Sequence, residues 1–329
     1  MNSSISASER GLESERWRRL LLLYALSTLG VAALIALLLL ALDPYDTGRF
    51  AVFGEHGVPR FGQRLAVAGL ARQPGFDTAI IGNSTIQLID PARLGALARR
   101  NVVSLAIPGT GPREQLAVAA WFVDHHPPDK LRGLVIGLDA WCGADALEPV
   151  NPFPFWLYSA REGDYVLGMM RLKSLDAALR KIALLTGRAE PARADGYNDY
   201  EIGRSWDAAT ASARLAEEEA AVANARAGDR SAEIVATPPL AAFLARVPER
   251  LPVILVFPPH AQRERVADDP CGAAFAALAR DRAATRLIDF RGRTDITAHP
   301  ENFWDRLHYR AAVARSMEVE IAAALRDGE

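Results

Sequence analysis

The sequence predicts an α/β domain: a parallel sheet of about five strands with helices on both faces, interrupted by a mostly helical insertion and preceded by one transmembrane helix. Three observations carry this. Short Val/Ile/Leu-rich runs alternate with helical patterns, as parallel strands covered on both faces require. Between the third and fourth runs, Asp139 to Arg250 holds no clear strand. Near the start, Leu20 to Leu42 contains no charged residue.

That uncharged run rises about 35 Å as a helix, enough to cross a bilayer core. A buried core helix and a cleaved signal peptide are the rivals. The run is longer than a usual signal-peptide core, and no small-x-small cleavage site precedes Asp43. It therefore reads as an uncleaved signal anchor. Arg16, Arg18 and Arg19 precede it, and Asp43 and Asp46 follow. The positive flank places the amino end in the cytoplasm, so a single-pass protein of a bacterial inner membrane is expected, with its domain periplasmic. Residues 1–16 are the tail, with Met1–Glu15 expected to be disordered, and 17–42 the anchor. Residues 43–76 form a connector punctuated by Pro44, Gly54, Gly57, Pro59, Gly62 and Pro74, in which little looks like core.

The domain, 77–329, places strands at Thr78–Ile81, Val102–Leu105, Gly133–Leu138, Val253–Phe257 and Arg286–Asp289. Helices are expected at Pro91–Arg100, Pro112–His125, Cys271–Ala284 and Tyr309–Arg326. The insertion, about 141–250, opens with aromatic-rich Asn151–Tyr158, which either packs on the core or lines a groove. It continues through a basic amphipathic piece, Met169–Leu185, and a loop, Gly187–Tyr200, to an Ala/Glu/Arg-rich helix near Ala208–Ala227, read as solvated.

Half of the 329 residues are hydrophobic and the net charge is −2. That fits a packed globular domain and argues against a nucleic-acid binder that relies on a basic surface. Cys142 and Cys271 are too few for a disulfide scaffold and lack zinc-site spacing; outside the cytoplasm they either form one bridge or stay apart. The sequence has no P-loop, no metal-ligand cluster and no dinucleotide fingerprint, so no cofactor is expected.

The first strand ends abruptly in Gly82-Asn83-Ser84, ahead of a helix that starts after Asp90. A serine there is either a turn former or an exposed nucleophile beside backbone N–H groups that receive negative charge. Far away, Asp305-Arg-Leu-His308 stands just before the last helix. Taken alone, Asp305 reads as a helix cap and His308 as a surface residue. Taken with Ser84, they make a set in which the carboxylate fixes the imidazole tautomer and the imidazole takes the serine proton.

These blocks resemble the SGNH/GDSL hydrolase superfamily, and within it the membrane-anchored branch that includes alginate O-acetyltransferase-like and teichoic-acid D-alanylation proteins. The resemblance rests on Ile81-Gly-Asn-Ser-Thr85, Ile107-Pro-Gly-Thr-Gly111, Gly137-Leu-Asp139 and Asp305-Arg-Leu-His308, and spans Asp77 to the C-terminus. It implies an SGNH-like (flavodoxin-like) sheet, with Ser84 as nucleophile, His308 as base and Asp305 as its orienter. The N–H groups of Ser84 and Gly109 would form the oxyanion hole, each such donor contributing roughly 3 to 4 kcal/mol. Two positions depart from the hydrolase pattern. Asn83 stands where Asp is typical, and Asp139 where an Asn donates to the oxyanion. An ionised carboxylate accepts only. So Asp139 is protonated, does another job, or leaves the hole to backbone donors; a helix cap is the plainer reading.

Weaker candidates are His260, at the active edge or simply in a turn, and His299, in a loop near Asp305. His125 and His126 read as structural, and Glu114 as a support for the Gly109 loop or its helix. The expected function is an acyltransferase or esterase acting on O-acyl, mainly O-acetyl, groups of a cell-surface or exported polysaccharide, with a membrane acyl-donor partner. Anchor and Asp139 favour transfer through the resemblance. The alternatives are a polysaccharide-binding or assembly factor without catalysis, using Phe153–Tyr158, and a plain periplasmic esterase.

Overall fold

A computed structural model describes residues 7–50, 52, 62–142, 147–148, 151–226, 236–261 and 269–327. Gly54, Gly57 and Pro59 of the expected connector lie outside the described residues. Five strands form one all-parallel sheet: β1 Thr78–Ile81, β2 Val102–Ser104, β3 Gly133–Gly137, β4 Val253–Phe257 and β5 Thr285–Asp289. Their order is β2-β1-β3-β4-β5. Register pairs Ala79 with Val103 on one side and Leu134 on the other; Ile254 pairs with Val135 and Arg286.

Eleven helices are described: α1 Ala7–Leu42, α2 Gln63–Leu70, α3 Pro91–Ala98, α4 Pro112–Asp124, α5 Glu162–Met169, α6 Leu172–Leu185, α7 Ala208–Arg226, α8 Thr237–Leu244, α9 Pro270–Arg280, α10 Thr294–Thr297 and α11 Ala311–Arg326. The two-residue period of the strands divides the core. Ala79, Ile81, Leu134, Ile136 and Leu255 pack under α2, α4, α8 and α9. Ile80, Val135, Ile254 and Val256 pack under α3 and α11, against Leu94, Met317 and Ile321. Because β1 sends its chain outward to β2 while β3 continues the other way, the crevice at their carboxyl ends is the switch point, where α/β sheets bind ligands.

Two expectations are corrected. Helix α1 starts at Ala7, inside the segment expected to be a disordered tail. The segment after it is not poor in core. Helix α2 buries Ala66, Val67 and Leu70, and Asp43, Tyr45, Asp46 and Thr47 are all buried. Flanking Gly and Pro hid this short helix, and buried carboxylates do not read as core until their partners are known. Asp43 accepts from Thr47 Oγ1 (2.9 Å), Gly48 N (2.6 Å) and Tyr165 OH (2.8 Å). Asp46 accepts from Lys181 Nζ at 2.8 Å. These bonds fix the exit of α1 to α5 and α6, and Leu39 and Leu42 join the same cluster as Ala177 and Ala178.

One helix, α1, is long and apolar enough to cross a membrane, over Glu15–Leu42. Between β3 and β4 the described residues hold no strand of the sheet. The aromatic segment packs: Phe153 stacks on Tyr158 at 5.3 Å, and Trp156 meets Tyr45 edge-on at 5.4 Å. Cys142, after β3, is bonded to Cys271 at the start of α9.

Candidate active site

From Thr78 to Asp90 every residue is buried except Ser84, so the sharp turn after β1 raises one hydroxyl out of the core. The turn is closed by Asn83, whose side-chain oxygen accepts from Thr85 N (3.0 Å) and Thr85 Oγ1 (2.7 Å). The C-terminal loop brings His308 to it. His308 Nε2 lies 2.8 Å from Ser84 Oγ. On its other side, His308 Nδ1 lies 2.8 and 2.9 Å from the two oxygens of Asp305. Asp305 also accepts the N–H groups of Leu307 and His308 at 2.9 Å each. Burial pushes the Asp305 carboxyl up. The bond and charge of His308, with those two N–H groups, outweigh burial and hold it below the usual carboxylate range. An ionised Asp305 accepts only, so Nδ1 carries the imidazole proton and Nε2 presents a lone pair to the Ser84 hydroxyl.

Asp139, at the end of β3, stands beside this set with both oxygens occupied. Oδ2 accepts from Asn83 Nδ2 at 2.9 Å, and Oδ1 lies 3.0 Å from His260 Nε2. Burial raises the Asp139 carboxyl, yet the bond and charge of His260, the Asn83 amide and the charge of His308 together leave it below the usual range. The two departures from the hydrolase pattern therefore face each other, and Asn83 donates to Asp139. A cavity of about 860 Å³ opens on the far side, lined by Asp139, His260, Phe257, Asp269 and Arg291; Ser84 and His308 do not line it. The Arg291 guanidinium lies over the Phe257 ring and reaches Asp269 (2.6 Å) and Asp289 (2.7 Å).

Gly109 lies in the turn after β2 with φ +63°, a backbone conformation that favours glycine. The turn is stitched to the Ser84 loop by Ile107 N, which donates to Gly82 O at 2.9 Å, and is closed on itself by Thr110 Oγ1, which donates to Ile107 O at 2.7 Å. Arg64 of α2 donates to Pro108 O at 2.8 Å and Gly109 O at 3.2 Å. In a trans peptide the N–H is opposed to the C=O. Arg64 therefore aims the Gly109 N–H away from itself. Among the described residues, neither the Ser84 nor the Gly109 N–H has a partner. Glu114 accepts from Gly111 N at 3.1 Å, serving both loop and helix start.

The loop that carries His308 is clamped by the insertion. Tyr200 OH donates to Tyr309 O (2.6 Å), and its ring meets His308 edge-on at 5.5 Å. Glu201 accepts from Trp304 Nε1 (2.6 Å) and Ala311 N (3.0 Å). Glu218 of α7 accepts from Arg306 N at 2.7 Å, and Trp206 Nε1 donates to Phe303 O at 3.0 Å. The Ala/Glu/Arg-rich helix is thus more than a solvated face. No motif marks these residues; only their distant partners do.

Of the remaining candidates, His126 Nδ1 and Nε2 meet the carbonyls of Phe122 (2.8 Å) and Gln73 (3.1 Å) within the structure. His125 Nδ1 meets Trp121 O at 2.8 Å. His299 is exposed and pairs with Glu301 at 3.1 Å. Among the described residues no group of His, Cys, Asp and Glu is placed to hold a metal ion. Compared with known proteins, the chain matches no family model and no curated protein.

Proposed function

We propose that this chain is a membrane-anchored, periplasmic, SGNH-like O-acyltransferase or carbohydrate esterase whose nucleophile is Ser84. The observation that carries the proposal is the unbroken line of hydrogen bonds from Ser84 Oγ through His308 to Asp305, at 2.8 Å on each side of the imidazole. Ser84 Oγ attacks the acyl carbon as its proton passes to His308 Nε2. The bond to the donor oxygen breaks, and that oxygen takes the proton from His308. A sugar hydroxyl or water then gives its proton to His308 as it attacks the acyl-serine; the bond to Ser84 Oγ breaks, and that oxygen takes the proton back from His308. The oxyanion formed in both halves is received by the backbone N–H groups of Ser84 and Gly109.

Asp139 does another job. Ionised, it holds His260 by Nε2–H, which leaves Nδ1 as an acceptor on a residue that lines the cavity. That cavity suits the acceptor polysaccharide: a planar cation over a ring, carboxylates and small apolar side chains. Acetyl is the favoured acyl group and a membrane partner its source. The anchor and the cysteine bridge support a periplasmic domain, since structural disulfides persist in oxidising compartments. The binding-factor alternative draws less support, because Ser84 and His308 are within hydrogen-bond reach and Phe153–Tyr158 is committed to packing.

The test uses the full chain in detergent, because Leu39 and Leu42 of the anchor helix belong to the domain's core. A serine-reactive fluorophosphonate and p-nitrophenyl acetate are given to wild type, Ser84→Ala and His308→Ala. The proposal expects labelling and turnover in wild type and their loss in both variants. A folded wild type that neither labels nor turns over sinks the catalytic reading.

A further inference from the structure

Helix α6 wears its side chains inside out. The face toward the domain is small: Ser174, Ala177 and Ala178, with Lys181 held by Asp46. Leu185, in the last turn, packs on the domain; the other large apolar residues up to Ile182 point elsewhere. Leu172, Leu175, Leu179 and Ile182 follow one another at helical spacing, and Leu172 is 84 % and Leu179 67 % exposed. At about 100° per residue this stripe lies roughly 130° around the helix from the domain face. The third face carries Lys173, Asp176 and Arg180, with Arg180 paired to Asp176 at 2.9 Å. Just before α6, Leu167 and Met170 are exposed as well.

The position of this stripe names its occupant. From Glu15 to Leu38, at 49 %, the side chains of α1 are exposed apart from half-buried Ala36; from Leu39, at 3 %, they are buried or half-buried. Leu20–Leu38 rises about 28 Å, close to the hydrocarbon thickness of a bilayer. The domain therefore begins where the hydrocarbon ends, and α6 packs at that level, against Leu39, Leu42 and Tyr45. A protein partner would meet an interface core rich in aromatic residues and Arg. This stripe is Leu and Ile throughout, with Arg171 and Lys173 beside it, the composition of a helix that lies in a lipid surface.

We propose that α6 is an interfacial membrane helix. It lies in the outer surface of the bilayer that α1 crosses, with Leu172, Leu175, Leu179 and Ile182 below the headgroups. Two points of attachment, α1 and α6, joined by the Asp46–Lys181 pair, then fix the height and tilt of the catalytic domain. The placement rests on α1 crossing a membrane, and the experiment separates the two statements.

The full chain is reconstituted in nanodiscs of phosphatidylethanolamine and phosphatidylglycerol. Since Cys142 and Cys271 are bonded to each other, one introduced cysteine carries an environment-sensitive fluorophore. Leu29→Cys reports on α1, Leu179→Cys on the stripe and Lys173→Cys on the polar face. Lipids with nitroxides on their acyl chains quench from within the bilayer; iodide quenches from water. The expected result is lipid quenching at Leu29 and Leu179, with iodide quenching at Leu179 about threefold or more below that at Lys173. Lipid quenching at Leu29 with iodide quenching at Leu179 overturns the proposal and leaves the anchor intact. Protection of Leu179 from both quenchers overturns it in favour of a protein cover. Iodide quenching at Leu29 overturns the anchor and the proposal together.

Discussion

Replacing Asp305 by Asn changes one oxygen into a nitrogen, and the structure says where that nitrogen must go. Oδ1 serves two backbone donors, Leu307 N and His308 N, both at 2.9 Å. The variant keeps its only carbonyl oxygen there, shared between those two N–H groups and His308 Nδ1 at 2.8 Å, and its NH₂ takes the place of Oδ2, 2.9 Å from the same nitrogen, where it opposes an Nδ1–H. An NH₂ donates, so it favours the tautomer with Nδ1 bare and the proton on Nε2. That tautomer cannot take the Ser84 proton. The variant also loses the charge that steadies the imidazolium, a bond worth about 1.5–3 kcal/mol. The bond alone accounts for roughly 10- to 10²-fold at about 1.36 kcal/mol per decade, and the wrong tautomer carries the loss toward the roughly 10⁴-fold that the same change costs in other triads. The assay is the second-order rate of fluorophosphonate labelling at neutral pH, with thermal unfolding as the check on folding. Labelling within about tenfold of wild type in a folded Asp305→Asn protein refutes the assignment of His308 as an Asp305-oriented base.

Four further outcomes are expected. His260→Gln keeps a donor for Asp139 but removes the imidazole; labelling of Ser84 should stay within about threefold, while transfer from p-nitrophenyl acetate to chito-oligosaccharides, relative to hydrolysis, should fall about tenfold. An equal loss in both assays would place His260 with the nucleophile instead. Arg64→Ala frees the Pro108–Gly109 peptide, so ester turnover should drop about tenfold through kcat with KM little changed, and Arg64→Lys should restore part of it. Asp139 and Asp305 both have carboxyls held below their unfolded value of about 3.9. Their contribution to stability is full above that value and lost as pH falls through the folded values, so urea midpoints should hold down to about pH 4.5 and then decline, less steeply in Asp139→Asn. Replacing both cysteines by Ser opens a loop with a sequence separation of 129. Chain entropy puts that loss at up to about 5 kcal/mol of unfolding free energy, and reductant should reproduce it in wild type alone.

The sheet was legible because parallel strands buried on both faces leave unbroken apolar runs, and β1 and β4 begin and end at the expected residues. The juxtaposition of Ser84, His308 and Asp305 was legible because these residue types and their order are informative even across the long span from Ser84 to His308. What stayed hidden depends on pairs without local signature. Asp139 looked like a flaw in an oxyanion hole until His260 appeared at 3.0 Å, from a loop on another strand. Glu218 belongs to the helix read as solvated, and nothing local to Glu201 or Glu218 names the C-terminal loop as their partner. Helix α2 was hidden by Gly and Pro around it, and with it Arg64. Exposed leucines on α6 gave an amphipathic pattern in sequence, but periodicity does not say which face the domain takes; Lys181 settles that, by reaching buried Asp46.

The two histidine–aspartate pairs are complementary, and the nitrogens explain why. Asp305 binds His308 at Nδ1, so the free lone pair sits on Nε2, toward Ser84. Asp139 binds His260 at Nε2, so its lone pair sits on Nδ1. Each carboxylate is ionised and accepts only, so neither pair can switch tautomer without losing its charge-assisted bond. Asn83 keeps them apart. An Asp at position 83 would set a second carboxylate 2.9 Å from Asp139 Oδ2, and one of the two would have to take a proton. With Asn there, Asp139 stays ionised, close enough to His308 for the charge of that imidazole to lower its carboxyl further. Under the proposed acyl transfer, the pairing of Asn83 with Asp139 leaves the oxyanion to backbone donors and provides a second oriented imidazole, the useful group when the acceptor is a sugar hydroxyl that must itself be stripped of a proton.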